Sequence, residues 1–318
     1  MKQEFEHINL IVGGNGFIGQ NLVKALILAG HKVVIADKNI WQVQSNKLVE
    51  NIIELNLSDP NWKDMFIESL NLECAVTIWH LAANSDIAKA SVDFEIDFKL
   101  TLGSTIDVID IATDLGPSCK SIEFTSSSAV YGLRQGNKKF REDDKLSPIS
   151  TYGVMKEASE KVLNVFSQKS GIPIHTYRLA NIVGDNMTHG LIYDLTNKLL
   201  LDSTRLQVLG NGYQRKTYLH VADLVNLMVK LSNAPTSFTV NAGPNDEGMN
   251  VREVAELLVK KANFTCQIEY EEKAEGWFGD VVDSVMETAF MRSVSNDSVM
   301  SSFEAIDAAI KSRLAELF

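Results

Sequence analysis

The segment "STYGVMKEASEKVL", residues 150–163, carries a tyrosine and a lysine four positions apart, Tyr152 and Lys156. Four helical residues advance the chain by about 6 Å, so the two side chains share a face. A free phenol loses its proton near pH ~10, and acting as a base near neutrality asks for about 3 pH units less, or roughly 4 kcal/mol. An ammonium group close by stabilises the phenolate. The spacing fits equally a half-buried tyrosine beside a solvated lysine. With Met155, Ala158, Val162 and Phe166 as the buried stripe, Tyr152 falls at its edge and Lys156 just beyond, the border position a site residue needs. Upstream, "FTSSSAVYG" ends an apolar run in serines, and a hydroxyl there can share a substrate proton with Tyr152.

A redox partner for that tyrosine is suggested near the N-terminus. "IVGGNGFIG" follows a first apolar strand and opens a helix, satisfying both Gly14-x-Gly16-x-x-Gly19 and Gly13-x-x-Gly16-x-x-Gly19. Such glycines make a tight turn, admit a pyrophosphate close to the backbone and let helix pack on strand. Backbone N–H groups and the positive helix end then face the phosphates. A glycine cluster alone is also an ordinary turn. Asp37, ending the second strand 18 residues past Gly19, adds the acid that binds ribose hydroxyls and repels a 2′-phosphate, which favours NAD over NADP. Lys38 beside it works in the opposite sense. The positive charge of oxidised nicotinamide would further stabilise a phenolate.

These residues need a scaffold that brings strand ends together. "INLIVGG", "HKVVIADK", "AVTIWHLAA" and "SIEFTSSSAV" read as strands apolar throughout, separated by helical stretches such as "NLVKALILAG" and residues 97–113. That pattern predicts an α/β fold with a doubly wound parallel sheet, covered on both faces and binding ligands at its strand ends. Past residue 185 the rhythm changes to a smaller mixed α/β lobe, with helices at "LIYDLTNKLL" and "REVAELLVKKA", a short strand at "LQVLG" and a loop at "NGYQRKT". The expected division is residues 1–180 plus about 217–243 for the dinucleotide-binding domain, and about 181–216 plus 244–318 for the substrate lobe. The chain of 318 residues is 45% hydrophobic and 22% charged, as globular proteins are, and its net charge of −11 argues against a nucleic-acid partner. Three scattered cysteines imply no disulfide framework, and six histidines lack metal-ligand spacing. Neither a signal peptide nor a membrane span is expected, so the reading is a cytoplasmic, metal-free protein.

In order along nearly the whole chain, "GGNGFIG", Asp37, "HLAA" (80–83), "SSSAVYG" (126–132), "YGVMK" (152–156), "RLANIVG" (178–184) and "HVAD" (220–223) resemble the extended short-chain dehydrogenase/reductase superfamily. The resemblance is to its NAD-dependent sugar epimerase/dehydratase branch, of the UDP-glucose 4-epimerase kind. It implies a Rossmann sheet with NAD held by Gly13, Gly16, Phe17, Ile18, Gly19, Asp37, Lys38, Asn56, Leu57, Leu81, Ala82, Ala83, Tyr152 and Lys156. It further implies Tyr152 as acid/base, Lys156 tuning it and holding the ribose, Ser127 binding the reacting hydroxyl, and Asn181 and Lys216 contacting a nucleotide sugar. Family dehydratases and decarboxylases carry an extra acid between the serine and the Tyr-Gly. Here Ser128 and Ala129 stand there, which leaves oxidation and re-reduction at C4, an epimerisation. Relatives pair as homodimers through the helix around 97–113 and the Tyr-Lys helix.

The chain departs from that pattern at four places. Lys216 replaces an arginine, and Arg215 either compensates or is a solvated loop charge. Trp277, in "GWFGDV", stands in another arginine's place, as a lid or core residue or as a substrate contact. Leu100 falls near a usual active-site asparagine, and the tail lacks the family's Gly-Trp-x-Pro. His189 sits in the expected substrate lobe, and His220 is expected to cap or pack a helix. A dehydrogenase or reductase on another hydroxyl or keto substrate, and a non-catalytic NAD-binding partner protein, are the competing readings.

Overall fold

The computed structural model describes residues 7–38, 49–54, 74–84, 93–276, 279–295 and 298–317. The first strand, β1 (His7–Val12), leads through a glycine turn into α1 (Phe17–Leu28), followed by β2 (Lys32–Asp37), β3 (Val49–Glu54) and β4 (Ala75–His80). The stretch 97–113, expected as one helix, is broken. α2 (Phe94–Asp97) runs into a π-helical turn over Phe98–Gly103 before α3 (Ser104–Leu115). Hydroxyl groups explain the break: Ser104 Oγ donates to the Leu100 and Thr101 carbonyls, and Thr105 Oγ1 also takes the Thr101 carbonyl. Those bonds compete with the regular ladder and loosen it to the wider turn.

β5 (Cys119–Ser127) and α4 (Thr151–Ser170) follow, then β6 (Ile174–Leu179) and β7 (Asn181–Val183). The remainder comprises α5 (Leu191–Leu201), β8 (Arg205–Val208), β9 (Arg215–Lys216), β10 (Tyr218–His220), α6 (Val221–Leu231) and β11 (Phe238–Ala242). It closes with β12 (Met249–Asn250), α7 (Val251–Ala262), β13 (Gln267–Tyr270), β14 (Asp283–Ser284), α8 (Ala289–Ser295) and α9 (Ser302–Leu317). "NGYQRKT", expected as a loop, therefore ends in β9.

Among the described residues, seven strands form one parallel sheet in the order β11-β6-β5-β4-β1-β2-β3. The direction of winding reverses between β1 and β4, and a crevice opens at their carboxyl ends. Alternation along β1 shows why the strands read as continuously apolar. Leu10 and Val12 pack with Val108, Ile111 and Leu163 on one face, while Ile11 packs with Leu22, Leu26 and Trp79 on the other. Both faces are covered, and the one polar residue between them in β1, Asn9, is buried with its side-chain oxygen accepting the Trp79 indole N–H at 2.9 Å.

α4 is fixed at both ends. Ser150 accepts the Gly153 N–H at 3.1 Å as N-cap, and Gly171 closes the helix in a left-handed conformation. Its burial corrects the sequence expectation. Gly153, Lys156, Ser159 and Leu163 are the buried residues, whereas Met155, Ala158, Val162 and Phe166 are only half-buried. The buried face is polar because the sheet ends and α3 offer partners: Lys156 Nζ donates to the Thr125 carbonyl at 2.7 Å, and the Thr105 and Ser159 hydroxyls are hydrogen-bonded at 2.9 Å. Buried polar groups are held where hydrogen-bond partners meet them. Lys156 thus lies in the interior rather than beyond its edge.

Candidate active site

The crevice between β1 and β4 is walled by the glycine turn. Gly13 has φ +89°, its N–H donates to the Ala36 carbonyl at 2.8 Å, and an added Cβ would stand 2.7 Å from the Ala82 nitrogen. At Gly19 a Cβ would collide with the Gly13 carbonyl oxygen and stand 2.7 Å from Gly14 Cα. Turn and helix therefore meet at a distance no side chain tolerates. Gly16 is the N-cap of α1 and no side chain caps it, so the Phe17, Ile18 and Gly19 end of the helix faces the crevice as an anion site. Asp37, half-buried at the end of β2, accepts the Asn15 N–H at 2.9 Å, which ties the acid to the glycine turn. Lys38 follows, exposed. On the opposite wall, Leu81 and Ala82 both donate to the Val12 carbonyl, at 2.9 and 3.0 Å, and with Ala83 are half-buried. A turn too tight for a Cβ, an open helix end and an acid at the next strand end fit a dinucleotide. Asn56 and Leu57 lie outside the described residues.

Ser127 is the last residue of β5, and its hydroxyl accepts the Ala129 N–H at 3.2 Å. Tyr152 is half-buried by surface area, yet deep enough that burial pushes its pKa well up. The Asp97 carboxylate adds to that rise and the Ser127 hydroxyl opposes it. Lys156 Nζ sits 5.8 Å from the Tyr152 ring centroid and 4.8 Å from that of Phe124. Burial lowers its pKa to about 7, against the pull of Glu160. Lys156 Nζ lies close enough to act on the phenol when protonated, whereas burial and the Asp97 carboxylate work to keep the phenol's proton on. A lowering would draw on Ser127, on Lys156 when protonated and on a cation bound in the crevice.

On the substrate side, Ser127 pairs in register with Leu179, and Asn181 follows two residues later in β7. The Asn181 N–H and side-chain amide both donate to the Thr217 carbonyl, at 3.1 and 3.4 Å. Lys216, next to Thr217, binds Asp280 at 2.5 Å; its side chain is 14% exposed and that of Asp280 only 2%. Lys216 and the "GWFGDV" segment are therefore joined, and the lysine charge is already balanced by a carboxylate. Arg215 donates to the Gly248 carbonyl at 3.0 Å and lies 3.7 Å from Glu253, so it is no free loop charge. His189 is exposed, and His220 is the N-cap of α6, accepting the Ala222 N–H at 3.3 Å. Trp277 lies outside the described residues.

The sequence model of the NAD-dependent epimerase/dehydratase family matches residues 9–243, nearly three quarters of the chain. The chain belongs to that family. NAD is its cofactor, in keeping with the crevice just described. The chain is 27% identical to an uncharacterized UDP-glucose epimerase, YtcB, of Bacillus subtilis (strain 168), over 84% of this chain and 86% of that protein. It is 26% identical to UDP-glucuronic acid decarboxylase 1 of Danio rerio, over 84% of this chain and 63% of that one. A crystal structure of UDP-galactose 4-epimerase superposes with a TM-score of 0.82 at 25% identity, covering 98% of this chain and all of the other. Epimerase and decarboxylase relatives stand side by side, so membership alone leaves the reaction open within the family.

For this epimerase/dehydratase member, sequence reasoning missed the polar layer under the site. Glu160 accepts Arg178 through two bonds, at 3.0 and 2.8 Å, and Ser126 Oγ at 2.5 Å. Arg178 also donates to Tyr131 Oη at 2.9 Å, which itself donates to Asn241 at 2.6 Å. Glu160 stands four residues past Lys156 on one helical face, a spacing legible in the sequence once Lys156 is known to point inward. His80, buried at the end of β4, is held at a pKa of about 3 by burial and by the Lys156 charge. Asp97 and Asn84, joined at 2.8 Å, carried no signal beyond residue type.

Proposed function

We propose that this chain inverts C4 of a nucleotide-diphosphate sugar through a transient 4-keto sugar, with Tyr152 as acid/base. The observation that carries the reading is the packing of α4 against β5 and the turn after it, which sets Tyr152 and Lys156 beside Ser127 at the end of β5, with Lys156 Nζ 5.8 Å from the Tyr152 ring. Ser127 Oγ and Tyr152 Oη converge on one place, where a sugar 4-hydroxyl can donate to one and accept from the other. Tyr152 takes the hydroxyl proton and later returns it. When bound, NAD takes up the hydrogen and electron pair from C4 and gives them back. Lys156, anchored to the Thr125 carbonyl, brings a positive charge beneath the phenol when protonated and offers N–H groups to a ribose. Ser128 and Ala129 follow Ser127 in a short 3₁₀ turn, and neither can protonate a leaving hydroxyl. Proton balance then calls for nothing beyond Tyr152.

Asn181 and Lys216 are assigned to the diphosphate, with Lys216 sharing its charge with Asp280. The seven-stranded sheet with its helices forms the NAD-binding part, and residues 181–216 and 244–318 the sugar-binding part. Apolar side chains exposed on the π turn, α3 and α4 (Phe98 at 54%, Ile106 at 41%, Val154 at 44%, Val165 at 49%) support a homodimer built on those segments. Among the described residues no helix is long and apolar enough to cross a membrane.

The test is Tyr152→Phe in NAD-loaded protein, with UDP-glucose as probe and the C4 epimer followed by NMR. The wild type forms the epimer. Removing the phenolic oxygen lowers turnover by about 10²–10⁴-fold with NAD still bound. Turnover unchanged in Tyr152→Phe would remove the tyrosine from the mechanism.

A further inference from the structure

Lys156 is 2% exposed, and its Nζ donates to the Thr125 carbonyl, a neutral partner. Glu160 follows one helical turn later on α4, and side chains four residues apart on a helix are neighbours. Both oxygens of its carboxylate are held. Oε1 accepts Ser126 Oγ at 2.5 Å and Arg178 Nε at 3.0 Å, and Oε2 accepts Arg178 Nη2 at 2.8 Å. Thr125 and Ser126 directly precede Ser127, so Lys156 and Glu160 grip consecutive residues of the strand that carries the site. The side chains of Glu160 and Arg178 are only 10% and 7% exposed.

A fixed anion thus stands beside a buried cation, and a buried charge without a counter-charge is costly. The charged and titratable groups around Lys156 are Tyr152 and Glu160 on α4, His80 at the end of β4, and Arg178 on β6 behind the Glu160 carboxylate. Burial and the lysine's own charge keep His80 neutral, and burial keeps the proton on Tyr152. Glu160 is the anion of this set, and it works against burial to hold the lysine's proton. A neutral residue in its place would also turn Arg178 from half of an ion pair into a lone positive charge.

We propose that Glu160 is a positioning residue: pinned by Arg178 and Ser126, it supplies the buried counter-charge of the Lys156 ammonium and so keeps that lysine a cationic partner for bound NAD. This rests on the reading above, in which Lys156 offers N–H groups to a ribose. NAD carries two phosphate charges against one on the nicotinamide, so an ammonium holds it better than a neutral amine.

The test is the rate at which NAD-loaded protein exchanges its cofactor with isotopically labelled NAD, at pH 6 and pH 9. The variants are Glu160→Gln, Glu160→Asp, Lys156→Met and Lys156→Met/Glu160→Gln. The wild type is expected to release NAD more slowly at pH 6, where Lys156 is charged, than at pH 9. Glu160→Gln should speed release about tenfold at pH 6 and by less than about twofold at pH 9, where the lysine is neutral in both proteins. Glu160→Asp, which keeps the charge, should restore most of the slow release. With Lys156 already methionine, adding Glu160→Gln should change the rate by less than about twofold. A Glu160→Gln effect equal at both pH values, or equally large in the methionine background, would make Glu160 a part of the fold alone and overturn the inference. A wild-type rate indifferent to pH overturns it too. Should Glu160→Gln by itself not fold, the paired variant decides: release matching Lys156→Met supports the inference, and faster release or failure to fold overturns it. Absence of C4 inversion with these rates as expected would instead overturn the epimerase reading and leave Glu160's role standing.

Discussion

Replacing Lys156 by methionine should stabilise the NAD-free protein at pH 6 while abolishing turnover. Burial holds the lysine's pKa at about 7 in the fold against 10.5 for the free side chain. The sign follows from linkage. Between those values the unfolded chain binds the proton that the folded chain has released, so stability rises with pH across about 7–10.5. Below that window the full cost of the buried charge is present, on the order of 5 kcal/mol at ~1.4 kcal/mol per pH unit. Methionine removes that cost but forfeits the 2.7 Å bond from Lys156 Nζ to the Thr125 carbonyl. That loss is worth about 1–3 kcal/mol. Lys156→Met should therefore gain about 2–4 kcal/mol at pH 6 and fall slightly below the wild type near pH 10, where the wild-type lysine is neutral in the fold and most of the linkage cost is gone. Urea unfolding of NAD-stripped protein from pH 6 to 10 measures the difference directly. A variant less stable at pH 6, or a difference that does not shrink as pH rises, would refute the buried-charge account.

Two further substitutions probe the scaffold. Gly19→Ala drives a methyl into the Gly13 carbonyl and should cost NAD binding at least about tenfold, read by fluorescence titration; unchanged affinity would show that α1 and the turn can separate. Glu160→Gln leaves the Arg178 guanidinium, whose side chain is 7% exposed, without its carboxylate. The loss should be about 3–5 kcal/mol by urea unfolding, and a cost under about 1 kcal/mol would mean that Ser126 and Tyr131 suffice to hold the arginine.

The fold was legible because its signals are local. "IVGGNGFIG" and Asp37 stand at a strand end, a helix start and the next strand end, and continuously apolar strands report burial on two faces. Tyr152 and Lys156 were legible as a pair through the helical period. Their environments were not. An apolar stripe through Met155 and Val162 points one way, while carbonyl and hydroxyl partners on β5 and α3 turn the helix another and draw Lys156 inside. Such partners come from residues distant in sequence, and no window on α4 contains them. The same holds for Asp97, whose buried carboxylate is met by the Asn84 amide from the end of β4. Lys216 was legible as a cation, but its pairing with Asp280, 64 residues away, was not.

The central claim is oxidation and re-reduction at one carbon with NAD returned to its starting state in every cycle. Incubating the NAD-loaded protein with UDP-glucose deuterated at C4 tests it most directly, with absorbance at 340 nm and the product's NMR spectrum recorded together. The account predicts the C4 epimer with deuterium still at C4 and no net rise in absorbance. Accumulation of reduced cofactor in proportion to product, or deuterium lost to water, would contradict it.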